Sequence, residues 1–486
     1  MATKTSQKYN IVIGLEVHAQ LKTKSKLFCS CSTEFGKEPN ANTCPVCMGY
    51  PGVLPVLNDQ AVDYAIKAGL ALGCEIDLNS KFDRKQYFYP DLPKGYQISQ
   101  FDKPICNHGK LNIGNKDVRI LRIHMEEDAG KLVHAGAERL HGSDYSLVDL
   151  NRASTPLIEI VSEPDINSAE EAVAYVKELR KVLLYTDVCD GNMQEGSLRC
   201  DVNISLNKEG EPWGTRAEIK NVNSFRSIAR AIEYEYKRQS QLLDNGEEVV
   251  QETRLFEENS GKTHSMRGKE DAHDYRYFPE PDLLPLTLEQ GRVDGIRESL
   301  PELPQQRKTR YIEEFALNED TAHNLTEEIA IANFFEETVA KGASAVKTAN
   351  WLNGAVAAYL NENKKELADT KLSSDLLAQM ISLIEKGTIS DNIAKNDIIT
   401  ELLENGVDDP KGVEKLIEEK GLAQITDTGA IEEMIKEVLD ANPKQVEDFK
   451  AGNQKIKGFF VGQIMKKTQG KASPQIINEL LAKLLA

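Results

Sequence analysis

Residues 11–21 read IVIGLEVHAQL, and their alternation dictates a strand with two unlike faces. In an extended chain Ile11, Ile13, Leu15, Val17, Ala19 and Leu21 point one way, while Val12, Gly14, Glu16, His18 and Gln20 point the other. One face is wholly apolar and has to be covered. Its reverse carries a carboxylate and an imidazole two positions apart. Such a strand fits a sheet packed on one side and polar on the other. A solvated face is the simplest account of Glu16 and His18 until the rest of the chain is read.

Further strand-like runs are RILRIHM (119–125), TPLIEIV (155–161), LRCDVNISL (198–206) and TRAEIKNV (215–222). Helices fall between them. Ser168 with Glu171 makes a capping box ahead of Ala172, Val176, Leu179 and Leu183. A second helix starts near Ser224 and runs through Ile228, Ala229, Ile232 and Tyr236 until Asn245-Gly246 stops it. The strands follow no βαβ rhythm, so the expected class is α+β. An N-terminal mixed, largely antiparallel α/β catalytic domain is expected over 1–294, with PEPDLLPL (279–286) marking its exit. Beyond it the β signal fades. Helical stretches at 320–341, 344–362, 373–387, 390–405, 411–420, 428–441 and 474–485 predict an all-helical middle domain over 295–406 and a helical tail domain over 407–486. The chain is too long for a single core. No apolar run reaches the roughly 18 residues that a membrane span needs. The opening MATKTSQKYN has neither an apolar leader nor an Arg-rich amphipathic one, so a cytoplasmic protein with reduced cysteines is expected.

The strongest spacing signal is CSCSTEFGKEPNANTCPVC. Cys29 and Cys31 form a C-x-C pair, and Cys44 and Cys47 a C-x-x-C pair across a turn-rich loop. Two short-spaced thiol pairs suit a closed, structural four-cysteine zinc site in a loop over 29–47. Carboxylates supply the second signal. Glu159 shares a strand face with Leu157 and Val161 while Ile158 and Ile160 fill the other, a costly place for a charge unless it is paired or metal-bound. In RIHMEEDAG, Arg122, His124, Glu126 and Asp128 make a polar face, and Glu127 falls with Leu121, Ile123 and Met125. Glu16 and His18 become candidates to meet Glu127 and Glu159, and oxygen donors with one imidazole favour Mg²⁺. Arg199, Asp201 and Asn203 align on one face of LRCDVNISL, and Glu218 with Lys220 on one face of AEIKN. These five are candidates to meet Mg²⁺ and phosphate oxygens.

Several chemistries are excluded. SGKT (260–263) ends like a phosphate-binding loop, but Phe256 stands where its first Gly belongs. No G-x-G-x-x-G follows a strand, and H-E-x-x-H, G-x-S-x-G, HIGH, KMSKS and a glutaminase thiol motif are all missing from the sequence. The net charge of −18 argues against nucleic acid for the chain as a whole, yet the last 46 positions hold eight Lys against three acidic residues. Lys455, Lys457, Lys466, Lys467 and Lys471 surround a GFFVGQIM segment that suits helix packing.

The segments IGLEVHAQL, YFYPDLPKGYQISQ, HMEEDAGK, VDLNRASTPLIEIVSEPD, MQEGSLRCDVNISL, EIKNVNSF and DYRYFPEPDL occur in order. Together they resemble the B-subunit family of the aspartyl/glutamyl-tRNA amidotransferases (GatB), and FFVGQIMKKTQGKASP resembles its YqeY-like tail. The resemblance spans essentially the whole chain. It implies ATP-dependent phosphorylation of the side-chain carboxylate of misacylated Glu-tRNA(Gln) or Asp-tRNA(Asn), then amidation by ammonia. It implies an amidase-type A subunit as the source of ammonia and a small C subunit completing a heterotrimer. It also assigns Mg²⁺ to His18, Glu127 and Glu159 with Glu16 beside them, while the basic charge of the tail makes its five named lysines candidates to contact tRNA phosphates. Two rivals remain: a non-catalytic tRNA scaffold leaves Glu159 without a purpose, and a ligase for a free amino acid leaves the basic tail unexplained.

Overall fold

A computed structural model describes residues 8–134, 145–268, 274–407, 412–423, 428–450, 453, 456–468, 472 and 474–485. The chain divides into two compact units, Met1–Leu303 and Pro304–Ala486. Among the described residues no helix is long and apolar enough to cross a membrane.

The first unit is built on a twelve-stranded mixed sheet. At its centre lies the opening strand, Asn10–Gln20. It pairs antiparallel with the Glu159 strand (Pro156–Ser162) on one side and the Asp201 strand (Leu198–Asn207) on the other. The Glu159 strand pairs antiparallel with the His124 strand (Asp117–Glu127), and the Asp201 strand with the Glu218 strand (Ala217–Lys220). One parallel pairing, of the Glu218 strand with Glu252–Glu257, makes the sheet mixed. The expected α+β class therefore holds, with the sheet largely antiparallel.

The alternation of the opening strand does what it promised. Ile13, Leu15, Val17 and Ala19 are at most 1% exposed and join one core with Val176, Leu179 and Leu183 of the Ala169–Tyr185 helix and Ile228 and Ile232 of the Phe225–Asp244 helix. Ser168 caps the first of these helices, accepting from the Glu171 amide at 3.1 Å, while the Glu171 carboxylate reaches back to the Asn167 amide at 2.9 Å. Ser224 caps the second at 3.0 Å. With one side of the sheet so covered, the other is left to form the floor of a cleft. The SGKT segment is the turn of a hairpin, and Phe256 is fully buried at the position a phosphate-binding loop would give to Gly.

The unit does not end at the Pro-rich stretch. Leu286 and Leu288 belong to its core, as does Val293 of a further helix, Gln290–Glu298. In the second unit two apolar cores form, one from Tyr311 to Ile417 and one from Ile431 to Leu485. The break between them does not fall at 406/407. The Gly412–Glu419 helix, expected in the tail, buries Val413 and Ile417 in the first of these cores. The periodicity of 320–341 resolves into Glu319–Leu325 and Ile329–Ala340, with Thr326 at the C-cap of the first helix, its hydroxyl donating to the Ala322 carbonyl at 2.9 Å. Of the tail lysines, Lys457, Lys466 and Lys467 lie on the Ile456–Lys467 helix, and Lys455 and Lys471 lie outside the described residues.

Candidate active site and cysteine cluster

Strand register assembles the site. Glu159 stands opposite His18 on one side and His124 on the other. The His18 Nε2 is 3.3 Å from Glu159 Oε2 and 3.9 Å from Glu126 Oε1. One nitrogen of His18 and one oxygen each of Glu126 and Glu159 lie within 4.8 Å of one another. Two carboxylates and an imidazole at that spacing fit a small divalent cation that prefers oxygen donors.

Glu127, expected beside His18 and Glu159, is not in this cluster; the glutamate the fold brings to them is Glu126. Strand alternation puts Glu127 on the core face of the sheet, where it pairs with Lys94 and accepts the Ile98 amide at 2.9 Å. Its carboxylate is 2% exposed and the Lys94 side chain 13%. Removing one partner of a buried pair leaves the other uncompensated, so Lys94→Met should destabilise the first unit by about 3 kcal/mol, read by chemical denaturation. An unchanged unfolding curve would show that the backbone amide alone satisfies Glu127.

A second triad lies beside the first. Glu16 faces Asp201 across the register and Asn203 faces Glu218, so three strands bring Glu16, Asp201 and Glu218 within 4.8 Å of one another. Lys220 reaches Asp201 at 2.8 Å and Glu218 at 3.5 Å, and the Asn203 amide donates to Glu16 at 2.9 Å. Arg199 is turned to Asp128 at 2.9 Å, which also accepts from Gln20 at 2.6 Å and lies 3.5 Å from Arg152. The five phosphate candidates thus share one face. Arg199, Asp201 and Lys220 line the cleft, of about 1000 Å³, whereas Asn203 and Glu218 hold their neighbours.

The electrostatics follow from crowding charges under cover. His18 is pushed up to about 9: burial opposes its charge, but Glu159, then Asp201 and Glu126, outweigh burial. Burial works against the Glu159 charge too, yet His124 and His18 hold that carboxyl well below its usual range. Sequence reasoning missed Lys85 of the cleft wall. It is held 4.8 Å over the Tyr275 ring, and although burial disfavours its charge, Glu126 leads the groups that raise its pKa. It also passed over Asp128 and gave Glu126 no role, although the alternation of RIHMEED already placed both on the polar face.

The four cysteines Cys29, Cys31, Cys44 and Cys47 come together with all four sulfurs within 4.8 Å. The Cys44 and Cys47 sulfurs are 3.9 Å apart, close to the about 3.8 Å edge of a tetrahedron with 2.3 Å zinc–sulfur bonds. The Cys47 thiol is pulled down to about 4, first by the Cys29 thiol donating to it. The buried Lys26 donates to Cys47 Sγ at 3.5 Å and to the Leu150 carbonyl at 3.2 Å. Asn40 and Asn42 of the same loop bond to Val148, Asp149, Leu150 and Asn151 at 2.8–3.0 Å. The cysteine loop therefore fastens a segment whose Asp149, Asn151 and Arg152 line the cleft.

Comparison with known proteins places these features in a lineage. Residues 11–294 match the GatB/GatE catalytic domain family and residues 333–485 the GatB domain family. The B subunit of the aspartyl/glutamyl-tRNA(Asn/Gln) amidotransferase of Geobacter sp. (strain M21) is 54% identical over 484 residues, covering 98% of this chain and 99% of that protein. The protein of the same name from Crocosphaera subtropica is 52% identical, covering 100% and 99%. Its counterpart in Geobacter sulfurreducens is 55% identical, covering 98% and 99%. The chain belongs to the GatB family, the B subunits of the aspartyl/glutamyl-tRNA(Asn/Gln) amidotransferases.

Proposed function

We propose that this chain is the component of a tRNA-dependent amidotransferase that activates and amidates the aminoacyl group. Its substrates are misacylated Glu-tRNA(Gln), Asp-tRNA(Asn) or both, with ATP. A carboxylate oxygen of the aminoacyl group attacks the terminal phosphorus of ATP and ADP leaves. Ammonia then adds to the acyl carbon, phosphate departs and a proton is lost, giving the amide. An amidase-type partner supplies the ammonia, and a small third component completes the heterotrimer.

The observation that carries this reading is the pair of triads on one sheet face, His18–Glu126–Glu159 and Glu16–Asp201–Glu218, beneath a cleft that also holds Lys85, Arg199 and Lys220. Phosphoryl transfer needs placement and charge compensation more than a protein nucleophile. His18, Glu126 and Glu159, or Glu16, Asp201 and Glu218, would hold a divalent cation, which would supply charge compensation for phosphate oxygens. The chain's own residues do the rest. Lys85 and Lys220 present ammonium groups to the cleft, Asp128 fixes the plane of Arg199, and Asn203 orients Glu16. In the assembled complex, ammonium chloride replacing glutamine should yield amidated aminoacyl-tRNA only when ATP and misacylated tRNA are both present. Amide formed without ATP would refute the activation step.

The cysteine cluster fits one structural zinc ion. Its sulfurs fill all four positions of a closed site, so zinc there would fix the loop and leave no position for substrate. Metal analysis should find one zinc per chain. Its removal by a thiol-reactive chelating agent should lower amidation by loosening the 148–152 segment at the cleft wall, without releasing the Mg²⁺-site residues from their strands. Purified protein with no zinc and four reactive thiols would contradict this.

A further inference from the structure

His124 is the side chain of the first cluster that none of these roles uses. It is 3% exposed and stands opposite Glu159 on the neighbouring strand. Its Nε2 lies 3.4 Å from Glu159 Oε2 and 3.8 Å from Glu126 Oε2. The two oxygens of Glu126 are divided. Oε2 lies on the His124 side, where Ser99 also donates to it at 3.3 Å, and Oε1 lies on the His18 side. The His124 Nδ1 is buried with no hydrogen-bond partner among the described residues. Only Nε2 therefore has anything to act on, and what it faces is the Glu159 oxygen shared with His18 and the Glu126 oxygen turned away from His18.

We infer that His124 is a positioning residue for a divalent cation at His18–Glu126–Glu159: its Nε2 is within donating distance of Glu159 Oε2, the oxygen that also faces His18, and stands beside Glu126 Oε2, so that Glu159 and Glu126 Oε1 are kept turned toward His18. The inference rests on the metal-site reading above and adds a residue to it. Donors behind ligating groups fix ligand orientation, and their loss typically weakens metal binding by about 10–100-fold.

The test is Mn²⁺ binding to the full-length chain, followed by the electron paramagnetic resonance of free Mn²⁺ and restricted to the binding that His18→Ala removes. His124→Leu keeps an apolar side chain in the space but no donor. His124→Gln puts an amide N–H close to where Nε2 stands. His124→Leu should weaken Mn²⁺ binding by at least about 10-fold, and His124→Gln should restore most of it. Thermal unfolding of the two variants at matched midpoints separates this from misfolding. Equal binding by wild type and His124→Leu would overturn the positioning role and leave the metal site standing. Equal loss in both variants would overturn it also, because the donor would then be irrelevant. A wild-type chain with no such Mn²⁺ binding would overturn the metal site itself and the inference with it.

Discussion

His18→Ala, Glu126→Gln and Glu159→Gln should each lower tRNA-dependent ATP hydrolysis by the assembled complex at least about 10²-fold, the scale seen when a preorganised electrostatic contact to a transition state is lost. The three side chains come from three adjacent strands and meet within 4.8 Å, so deleting any one leaves an incomplete site on an otherwise unchanged sheet. Glutaminase activity should persist in all three, because the proposed function gives glutamine hydrolysis to a partner and not to this chain. Glu127→Gln is the informative contrast. Its carboxylate lies on the core side with Lys94, so it should leave Mn²⁺ binding at the His18 cluster intact. A near wild-type hydrolysis rate for Glu126→Gln would remove it from the site, and loss of Mn²⁺ on Glu127→Gln would restore Glu127 as a ligand.

The tail carries the second large effect. Phosphate contacts release counterions, so binding that depends on lysines falls steeply with salt. Removing everything beyond residue 423 should weaken tRNA binding, flatten its salt dependence and raise the tRNA KM, while the triads of the first unit keep their metal affinity. The cut belongs there and not at 406, because a chain ending at 406 would lose Val413 and Ile417 from the middle core and unfold more than the tail. The described lysines of this helix do not form one surface. Lys457 and Lys466 are nine residues apart on one helix, two and a half turns, and so lie on opposite sides. Lys467 is already paired with Glu437. Lys466→Glu and Lys457→Glu should therefore differ in their effect on tRNA affinity, and equal effects would point to general charge in place of a docking face. Unchanged affinity and salt slope after truncation would mean that the tail does not bind tRNA.

What was legible in the sequence was local. The alternation of residues 11–21 announced a covered face and a polar one, and Ser168 and Ser224 announced their helices through the caps they supply. Register was not legible, because pairing Glu16 with Asp201 joins positions far apart in the chain through contacts that no short window contains. Hence the Glu16–Asp201–Glu218 triad was visible only as three separate polar faces. The Glu127 assignment failed for a different reason. Glu127 was singled out as a carboxylate on an apolar strand face, and the resemblance carried the same residue, but that face is the core side, where Lys94 pairs with it, and a one-residue step in a strand exchanges cleft for core. The middle–tail boundary was misplaced because the Gly406 punctuation ends a helix without ending a core.

The most direct measurement is ATP hydrolysis by the assembled complex with no tRNA, with correctly acylated tRNA and with misacylated tRNA. If this chain activates an aminoacyl carboxylate, hydrolysis should rise sharply only with the misacylated tRNA, whose free side-chain carboxylate accepts the phosphoryl group, and His18→Ala should abolish that rise. Hydrolysis indifferent to the aminoacyl group, or stimulated equally by a free amino acid, would contradict it.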